Sequence, residues 1–258
     1  MANSLSYGGT DLATYGLYVT RQPSNLIAPV EFSSAKAGFA DRGFAGYSSF
    51  GPRELVCECM VVAATRAALA TALDNIRLKL FSREDAALIF DGIWAGRYWM
   101  ARLSSGVNSS IEAGGKVATF SLAFQASDPF AYSTTAGSDD ETITSVAHSF
   151  TIVVGGTAPA LPVFTVVPNA TSAPVVISNE TTEEKISWEN SLASTDEIRI
   201  DCAAQYIDVA DQATDTYAAS MSNVEGRFPR LAAGVTNSLI ISGVPGGSVN
   251  TAWRNRYM

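Results

Sequence analysis

The sequence of 258 residues predicts a mainly β protein with two domains, and three observations support this fold class. Segments with an apolar residue at every second position recur along the chain, as in strands with one buried face. Gly, Pro, Ser and Asn separate these segments at short intervals. A single stretch has the spacing of an amphipathic helix. We therefore predict an N-terminal β-rich domain with one helix over residues 1–132 and a C-terminal antiparallel β-sandwich over residues 133–258.

The first sixty residues contain two predicted strands around a glycine-rich stretch. Leu17–Thr20 is the first strand and precedes Pro23. Gly38–Pro52 carries four glycines and several aromatic residues, so we expect a loop or a broad hairpin there. Leu55–Val62 is the second strand. Because both of its faces carry apolar side chains, we expect much of this strand to be buried.

The predicted helix lies near residues 65–81. Thr65 suits its N-cap, because a threonine hydroxyl can accept a hydrogen bond from an N–H of the first turn. Arg77 and Lys79 lie near the C-terminal end, where the helix dipole favours cations. The apolar stripe is narrow and rich in alanine, so we expect the helix to pack flat on a sheet. Its members are Leu69, Ala72, Leu73, Ile76 and Leu80.

The region from Leu88 to Tyr132 gives the clearest strand signal. Two strands are predicted at Leu88–Phe90 and Arg97–Leu103. A third alternates between apolar and polar residues, and its predicted buried face consists of Ala118, Phe120, Leu122, Phe124 and Ala126. The segment Ser104–Gly115 is rich in Ser, Gly and Asn and is expected to form a long hairpin loop.

The composition changes after Tyr132. Ser133–Thr144 is small, polar and acidic, with no apolar period, so we expect a linker or domain boundary. The remaining chain has short strand-like segments at the spacing typical of a sandwich. These strands are predicted at Phe150–Val154, Val163–Val167, Val175–Ser178, Lys185–Glu189, Glu197–Cys202, Tyr206–Val209, Thr216–Met221 and Asn237–Ser242.

Charge and local composition exclude several kinds of partner. The chain has 17 basic and 25 acidic residues and a net charge of −8, so it repels phosphate. We expect no sequence-specific nucleic-acid binding, although DNA could pass such a protein without being held. The N-terminus lacks the features of a signal peptide. No apolar run reaches the ~20 residues of a membrane-spanning helix, so we expect no membrane insertion.

The three cysteines favour buried free thiols. Cys57 and Cys59 share one face of a predicted strand, where the two Cα atoms would be roughly 6.5–7 Å apart, near or beyond the disulfide limit. Cys202 has no partner in sequence. A redox or metal pair is the alternative for the first two. Free thiols fit a protein that folds in a reducing cytoplasm.

No catalytic set or cofactor motif is evident. His148 is the single histidine and has no obvious partner, so we expect a surface or linker histidine. Carboxylates occur at Asp91, Asp128, Asp139, Asp140, Glu141, Glu183, Glu184 and Asp201. Nothing in the sequence brings two of them together, as glycoside hydrolysis would require. We therefore predict no enzyme, no metal and no cofactor.

The aromatic residues leave one candidate binding residue. Trp94, Trp99, Trp188 and Trp253 could each stack on a sugar ring, but tryptophans in β-sandwiches mostly pack in the core or at an interface. Trp188 is the candidate for carbohydrate binding. Arg254 and Arg256, near the C-terminus, are expected at a solvated end or in salt bridges between subunits.

Short motifs follow one another along nearly the whole chain. In the first half they are Leu5–Leu12, Tyr15–Val19, Arg53–Leu55, Leu73–Ile76, Phe90–Asp91, Arg97–Leu103, Phe120–Phe124 and Asp128–Tyr132. In the second half they are Ile198–Asp201, Phe228–Leu231, Gly234 and Asn237–Leu239. In their order and spacing, these motifs resemble the distal tail protein family of long-tailed bacteriophages, a siphophage-type tail-tip or baseplate ring component.

The resemblance implies an N-terminal ring or belt domain that closes into a homohexameric ring, and a galectin-like C-terminal sandwich. The ring would connect the tail tube protein to the tail-tip hub protein, with DNA passing through its lumen. It would give attachment points for receptor-binding or side-fibre proteins. The implied location is the virion tail tip, after synthesis in the bacterial host cytoplasm. The resemblance carries no catalytic residues.

Two further expectations concern assembly. The chain is 47% hydrophobic and only 16% charged, so large subunit interfaces are expected unless the monomer core absorbs these residues. We expect the half before Tyr132 to make most subunit contacts, because it carries the helix and two long strands. The alternative function is a carbohydrate-binding module or host-surface adhesin, with a glycosidase as a third possibility.

Overall fold

The structure, a computed structural model, describes residues 3–24, 29–36, 43–105, 109–112, 114–211, 216–219 and 224–258. The chain divides into two compact units, residues 1–134 with residue 258, and residues 135–257. Strands dominate both units, so the predicted mainly β fold class is confirmed. Within the described residues, no helix has the length and apolar character needed to span a membrane.

The first unit is a set of antiparallel strands. They are β1 (Leu5–Tyr7), β2 (Thr10–Asp11), β3 (Leu17–Arg21), β4 (Val30–Lys36), β5 (Gly43–Phe50), β6 (Arg53–Val62), β7 (Ala86–Phe90), β8 (Arg97–Leu103), β9 (Ser109–Ile111) and β10 (Val117–Ala126). Strand β6 lies between β3 and β10 and pairs with β10 along its whole length. Strand β7 lies between β1 and β8.

Helix α1 spans Arg66–Leu80 and follows β6. Thr65 is its N-cap, as predicted, and its Oγ1 accepts a hydrogen bond from the backbone N of Ala68 at 3.1 Å. The helix packs on β6 and on the 3-10 helix Leu12–Tyr15, with Leu69, Ile76 and Leu80 buried. The predicted apolar stripe is therefore the face that the helix buries.

The core of the first unit is formed by one face of the β3–β6–β10 sheet. The predicted buried face of β10 is confirmed, since all five of its side chains are buried. On β6 the burial alternates: Leu55, Cys57, Cys59 and Val61 are buried. The opposite face of β6 is exposed, with Val56 at 45%. The expectation that much of β6 is buried was therefore wrong, because the helix covers only one side of this sheet.

Two predicted loops contain strands. Strand β5 lies within Gly38–Pro52 and pairs antiparallel with β4, so the broad hairpin is what forms over the described residues. Residues 37–42 lie outside the described residues. Strand β9 lies within the expected loop Ser104–Gly115 and pairs with β10. The short β9 escaped prediction because its three residues show no apolar alternation.

The second unit is a β-sandwich of two antiparallel sheets. Its strands are β11 (Ala131–Ile143, entering from the first unit), β12 (Ala147–Val153), β13 (Val163–Pro168), β14 (Val175–Asn179), β15 (Glu184–Trp188), β16 (Asp196–Asp201), β17 (Tyr206–Asp211), β18 (Thr216–Ala219), β19 (Val224–Gly226), β20 (Thr236–Ser242) and β21 (Gly247–Tyr257). One sheet has the order β18-β17-β16-β13-β21-β11, and the other has the order β12-β20-β14-β15-β19. The apolar faces of both sheets form its core.

Of the two expectations for Ser133–Thr144, the linker is wrong, because residues 133–143 lie in β11, whereas the two units do divide within this segment, between residues 134 and 135. Its polar side chains gave no apolar period, but a strand is held by backbone pairing, and β11 lies beside β21. Asn250 on β21 also donates from Nδ2 to Oδ1 of Asp140 at 2.6 Å. Gly137 lets the Trp253 ring pack closely, because a Cβ at residue 137 would lie 2.5 Å from a ring atom.

The C-terminal residues form strand β21 rather than a solvated end. This strand pairs with β13 from Val163↔Ala252 to Pro168↔Gly247. Arg254 is exposed, whereas Arg256 donates from Nη1 to the carbonyl oxygen of Pro159 at 3.1 Å. The strand was not predicted because polar and charged residues alternate with only a few apolar ones.

Candidate functional site

The predicted carboxylates are dispersed over both units. Asp91 accepts a hydrogen bond from the Ser4 hydroxyl, and Asp128 accepts one from the Tyr132 hydroxyl. Glu184 is paired with Arg230. Within the described ranges, no group of three or more His, Cys, Asp or Glu residues is placed to hold a metal ion. Asp91, Asp128 and Glu184 are thus held by hydroxyl and guanidinium groups.

His148 lies on β12, in the second unit. Its side chain is 15% exposed, and its ring stacks on Phe150 with a centroid distance of 6.1 Å. Nε2 lies 4.0 Å from a carboxylate oxygen of Glu141. The histidine is therefore mostly covered by its neighbours, and the expectation of a surface or linker residue missed this packing.

All three cysteines are free and buried, as predicted. The Sγ atoms of Cys57 and Cys59 are 3.7 Å apart on the buried face of β6. The hydrogen bond between the two thiols and the burial of the Cys59 thiol both raise the pKa of Cys59. Burial likewise raises the pKa of Cys202. Thiols with raised pKa values are poor nucleophiles at neutral pH, which agrees with a role in packing.

Trp188 lies in the core of the second unit, at the end of β15. Its side chain is 4% exposed and belongs to the cluster that includes Ile177 and Leu239. A ring this well covered presents too little surface for a sugar to stack on it without rearrangement. Sugar binding by Trp188 stays a prediction. A direct measurement of sugar affinity in a Trp188→Ala variant would test it.

A buried arginine connects two of the sequence motifs in the first unit. Arg53 begins β6 on its core side and is only 1% exposed. Its Cζ lies 5.8 Å from the centroid of the Trp99 ring, and its Nη1 donates to the carbonyl oxygen of Pro129 at 3.4 Å. Burial lowers the pKa of Arg53. Arg53 belongs to one of the sequence motifs, but its burial was not predicted, because an isolated arginine at a strand start is usually solvated.

The second unit contains a polar network around the Phe228–Leu231 motif. The Glu184 carboxylate accepts hydrogen bonds from the backbone N of Arg230 and from its Nε, both at 2.8 Å. Asn179, fully buried, donates from Nδ2 to the Arg230 carbonyl oxygen at 2.6 Å and to Oδ1 of Asn237 at 3.1 Å. The motif residues therefore hold the segment between β19 and β20 in place.

The exposed face of the β3–β6–β10 sheet carries several apolar side chains. On β6 it carries Val56 and Val62, at 45% and 46% exposed, with half-buried Met60 between them. Val62 lies opposite Val117 on β10, and Met60 lies opposite Tyr18 on β3. The same face carries Glu58, whose carboxylate pairs with Arg21 at 3.3 Å. Apolar side chains on an open sheet favour contact with another protein surface.

The structure is that of a β-rich protein of two units, and comparisons with known proteins find similar folds. Residues 155–257 match the family model of the siphovirus-type tail component, C-terminal domain. The Dit (gp 19.1) protein of phage SPP1 is similar in fold, with a TM-score of 0.76, 15% identity and coverage of 100% of both chains. That protein is described as a paradigm of the hub adsorption apparatus in phages that infect Gram-positive bacteria.

Two baseplate structures of phage P2 are also similar. The activated conformation with Ca gives a TM-score of 0.52 and 10% identity, and the one with Sr gives 0.51 and 11%. Each covers 99% of this chain and 98% of the other. No curated protein sequence matches the chain. The family match over residues 155–257 and the shared fold of the whole chain agree with the resemblance found in the sequence.

Proposed function

We propose that this protein is a structural ring component of a phage tail tip, located in the virion tail and without enzymatic activity. The observation that carries the proposal is the likeness of the whole chain to the Dit protein of phage SPP1, joined to the family match of residues 155–257. Similarity to phage baseplate structures supports a place within the same kind of assembly.

In this proposal six copies close into a ring that joins the tail tube protein to the tail-tip hub protein. Cyclic rings use head-to-tail contacts, so each subunit needs two complementary faces. DNA passes through the lumen, and the net charge of −8 keeps phosphate from binding there. The galectin-like second unit gives attachment points for receptor-binding or side-fibre proteins. Assembly takes place in the host cytoplasm.

The first unit makes most subunit contacts in this proposal. Its open β3–β6–β10 face supports this role, because Val56, Met60 and Val62 leave apolar surface uncovered in the single chain. Covering such surface is the usual driving force of stable association. An interface of this kind is also more apolar at its centre than the rest of the surface.

A double variant on this face tests the proposal. We expect Val56→Glu with Val62→Glu to shift the protein toward the 27.2 kDa monomer, because two charges would be buried in the interface. Light scattering on the purified protein measures the mass. Val153→Glu is the matched control, since Val153 is 68% exposed on β12 of the second unit. A double variant with the oligomeric mass of the parent protein would contradict the proposed interface.

A further inference from the structure

Strand β12 of the second unit has one edge that no other strand among the described residues pairs with. It is the first strand of the β12-β20-β14-β15-β19 sheet, and its partner there is β20. The pairing runs without a register shift from Ala147↔Ser242 to Val153↔Thr236. The other side of β12, the free edge, is therefore a regular strand edge of seven residues.

Backbone groups on the free edge point away from β20. The carbonyl oxygen of Val146 accepts a hydrogen bond from the backbone N of Gly243 at 3.0 Å, so the even-numbered residues of this segment face β20. In an antiparallel pair, the residues between them direct their N–H and C=O groups to the opposite side. These residues include Ser149, Thr151 and Val153, whose side chains are also exposed. The free edge thus offers a row of backbone donors and acceptors.

The free edge lacks the features that usually keep strand edges from pairing. Natural edge strands are commonly short or bulged, or carry Pro or charged residues. Strands β18 and β19, which end the two sheets of the second unit, have four and three residues. Strand β3, at the end of the first unit's sheet, has a register shift between Val19 and Arg21. Strand β12 is longer and regular, and its sequence, AHSFTIV, contains no Pro, Lys, Arg, Asp or Glu. Its edge can therefore accept an added strand.

The surroundings of the free edge are acidic. Residues 131–179, which include β11, β12, β13 and β14, contain no Lys or Arg, and their acidic residues are Asp139, Asp140 and Glu141. Glu141 lies beside the edge, because its Oε2 is 4.0 Å from Nε2 of His148 on β12. Asp139 lies on the same side of β11 as Glu141, since side chains alternate along a strand. We call Asp139 and Glu141 the edge carboxylates.

Basic residues on the neighbouring strands face elsewhere. In the sheet of β12, strands β20 and β14 carry no charged residue, and Lys185 lies on β15, beyond both of them. In the other sheet, Arg254 and Arg256 share one side of β21 with Asn250, whose Nδ2 donates to Asp140 at 2.6 Å. That side is opposite to the one that carries the edge carboxylates. The free edge therefore favours a partner with positive charge.

We propose that β12 docks an extended basic segment of another protein, which pairs with the free edge as an additional strand. Backbone hydrogen bonds hold the segment, and Lys or Arg at alternate positions reaches the edge carboxylates, since an added strand lies about 4.8 Å from β12. A second copy of β12 fits less well, because it brings the edge carboxylates of two subunits together. The inference rests on the proposed attachment role of the second unit, and it names the edge and the chemistry of the attached segment.

Hydrogen exchange with mass spectrometry on the full-length protein tests this proposal. The probe is a peptide of alternating Lys and Thr that is longer than β12. We expect fast exchange at the amides of Ser149, Thr151 and Val153 in the free protein, and exchange roughly tenfold slower at saturating peptide. A Glu-Thr peptide reverses the charge, and a Lys-Thr peptide with central Pro residues keeps the charge but cannot pair. We expect neither control peptide to protect β12.

Two variants separate backbone pairing from charge. Thr151→Pro removes an N–H of the free edge while leaving the pairing with β20, and it should weaken peptide binding about fivefold. Thr151→Val keeps that N–H and is the matched control, so we expect it to bind as the parent protein does. Asp139→Asn with Glu141→Gln should also weaken binding about fivefold, and this variant keeps the test valid if Thr151→Pro does not fold.

Several outcomes would overturn the proposal. They are absence of protection by the Lys-Thr peptide, equal protection by either control peptide, and unchanged binding in the variants that remove the N–H or the edge carboxylates. Protection of β12 in the free protein that disappears on dilution would assign the edge to a second copy and overturn it as well. Light scattering on the same variants tests the ring separately: the parent's oligomeric mass without peptide binding would leave the ring function standing.

Discussion

At the scale of single residues, Glu184 and Arg230 show how a sequence motif acts through a distant partner. Arg230 lies in the Phe228–Leu231 motif, and Glu184 begins β15 some distance away along the chain. Three contacts from Arg230 reach one carboxylate, through its backbone N, Nε and Nη2. Removing one partner of a mostly buried pair leaves the other insufficiently compensated, which destabilises the fold.

We expect Glu184→Gln to lower the free energy of unfolding by about 2 kcal/mol at neutral pH, because the charge-assisted hydrogen bonds weaken. The pKa of Glu184 is lowered in the folded state. Its stabilisation is therefore present above the unfolded-state pKa of about 4.3 and is lost as the pH falls through the lower folded-state pKa. Urea unfolding at several pH values measures this.

The gap between the parent protein and Glu184→Gln should narrow as the solution is acidified below that value. Glu180→Gln is the control, because Glu180 is exposed and accepts a single hydrogen bond from Ser178 at 3.0 Å. We expect its effect to stay below about 1 kcal/mol at any pH. A gap for Glu184→Gln that widens in acid would contradict this account of the ion pair.

Residue patterns predicted local features well and buried polar contacts poorly. Thr65 could be recognised as an N-cap because the signal lies within four residues of sequence. The burial of Arg53 could not be predicted, because its partners Trp99 and Pro129 are far away in sequence. The Glu184–Arg230 pair could not be predicted either, because these two residues are also far apart in sequence. A pattern in one segment carries no information on which distant segment will cover it.

At the scale of elements, two threonines of α1 allow a test. One substitution is expected to lower the free energy of unfolding, and the other is expected to raise it. We expect Thr65→Ala to lower the free energy of unfolding by about 1 kcal/mol, because the N-cap hydrogen bond to Ala68 is lost. Thr71→Ala, inside the helix, should raise it by roughly half a kcal/mol, since alanine has the higher helix propensity. The Thr71 hydroxyl bonds only back to the carbonyl oxygen of Ala67, at 3.2 Å.

Thermal or urea unfolding of the two variants measures both changes. Two decreases of equal size would show that the threonines act through packing and not through the cap.

The sequence predicted α1 closely because its apolar spacing and its N-cap residue indicate the same helix. It missed β11 and β21, since these strands are held by pairing with their neighbours, as β21 is with β13, and not by an apolar pattern. A strand that is held mainly by backbone pairing to its neighbours shows only a weak apolar pattern in its own sequence.

At the scale of the whole molecule, the two units point to different tasks. The first unit leaves an apolar face of the β3–β6–β10 sheet open, and the second unit has an apolar sandwich core and, among the described residues, an unpaired strand edge at β12. This division fits a protein whose first unit assembles and whose second unit meets other molecules. The motifs indicated the class from sequence, but the open face of β6 could only be seen in the structure.

The mass and shape of the purified protein test the proposed ring most directly. Light scattering combined with negative-stain imaging of the same sample gives both. Six copies of the 27.2 kDa chain predict about 163 kDa, and two stacked rings predict twice that mass. We expect particles with sixfold symmetry and a central hole. Particles of 27.2 kDa without a ring, at high protein concentration, would contradict self-assembly into the ring.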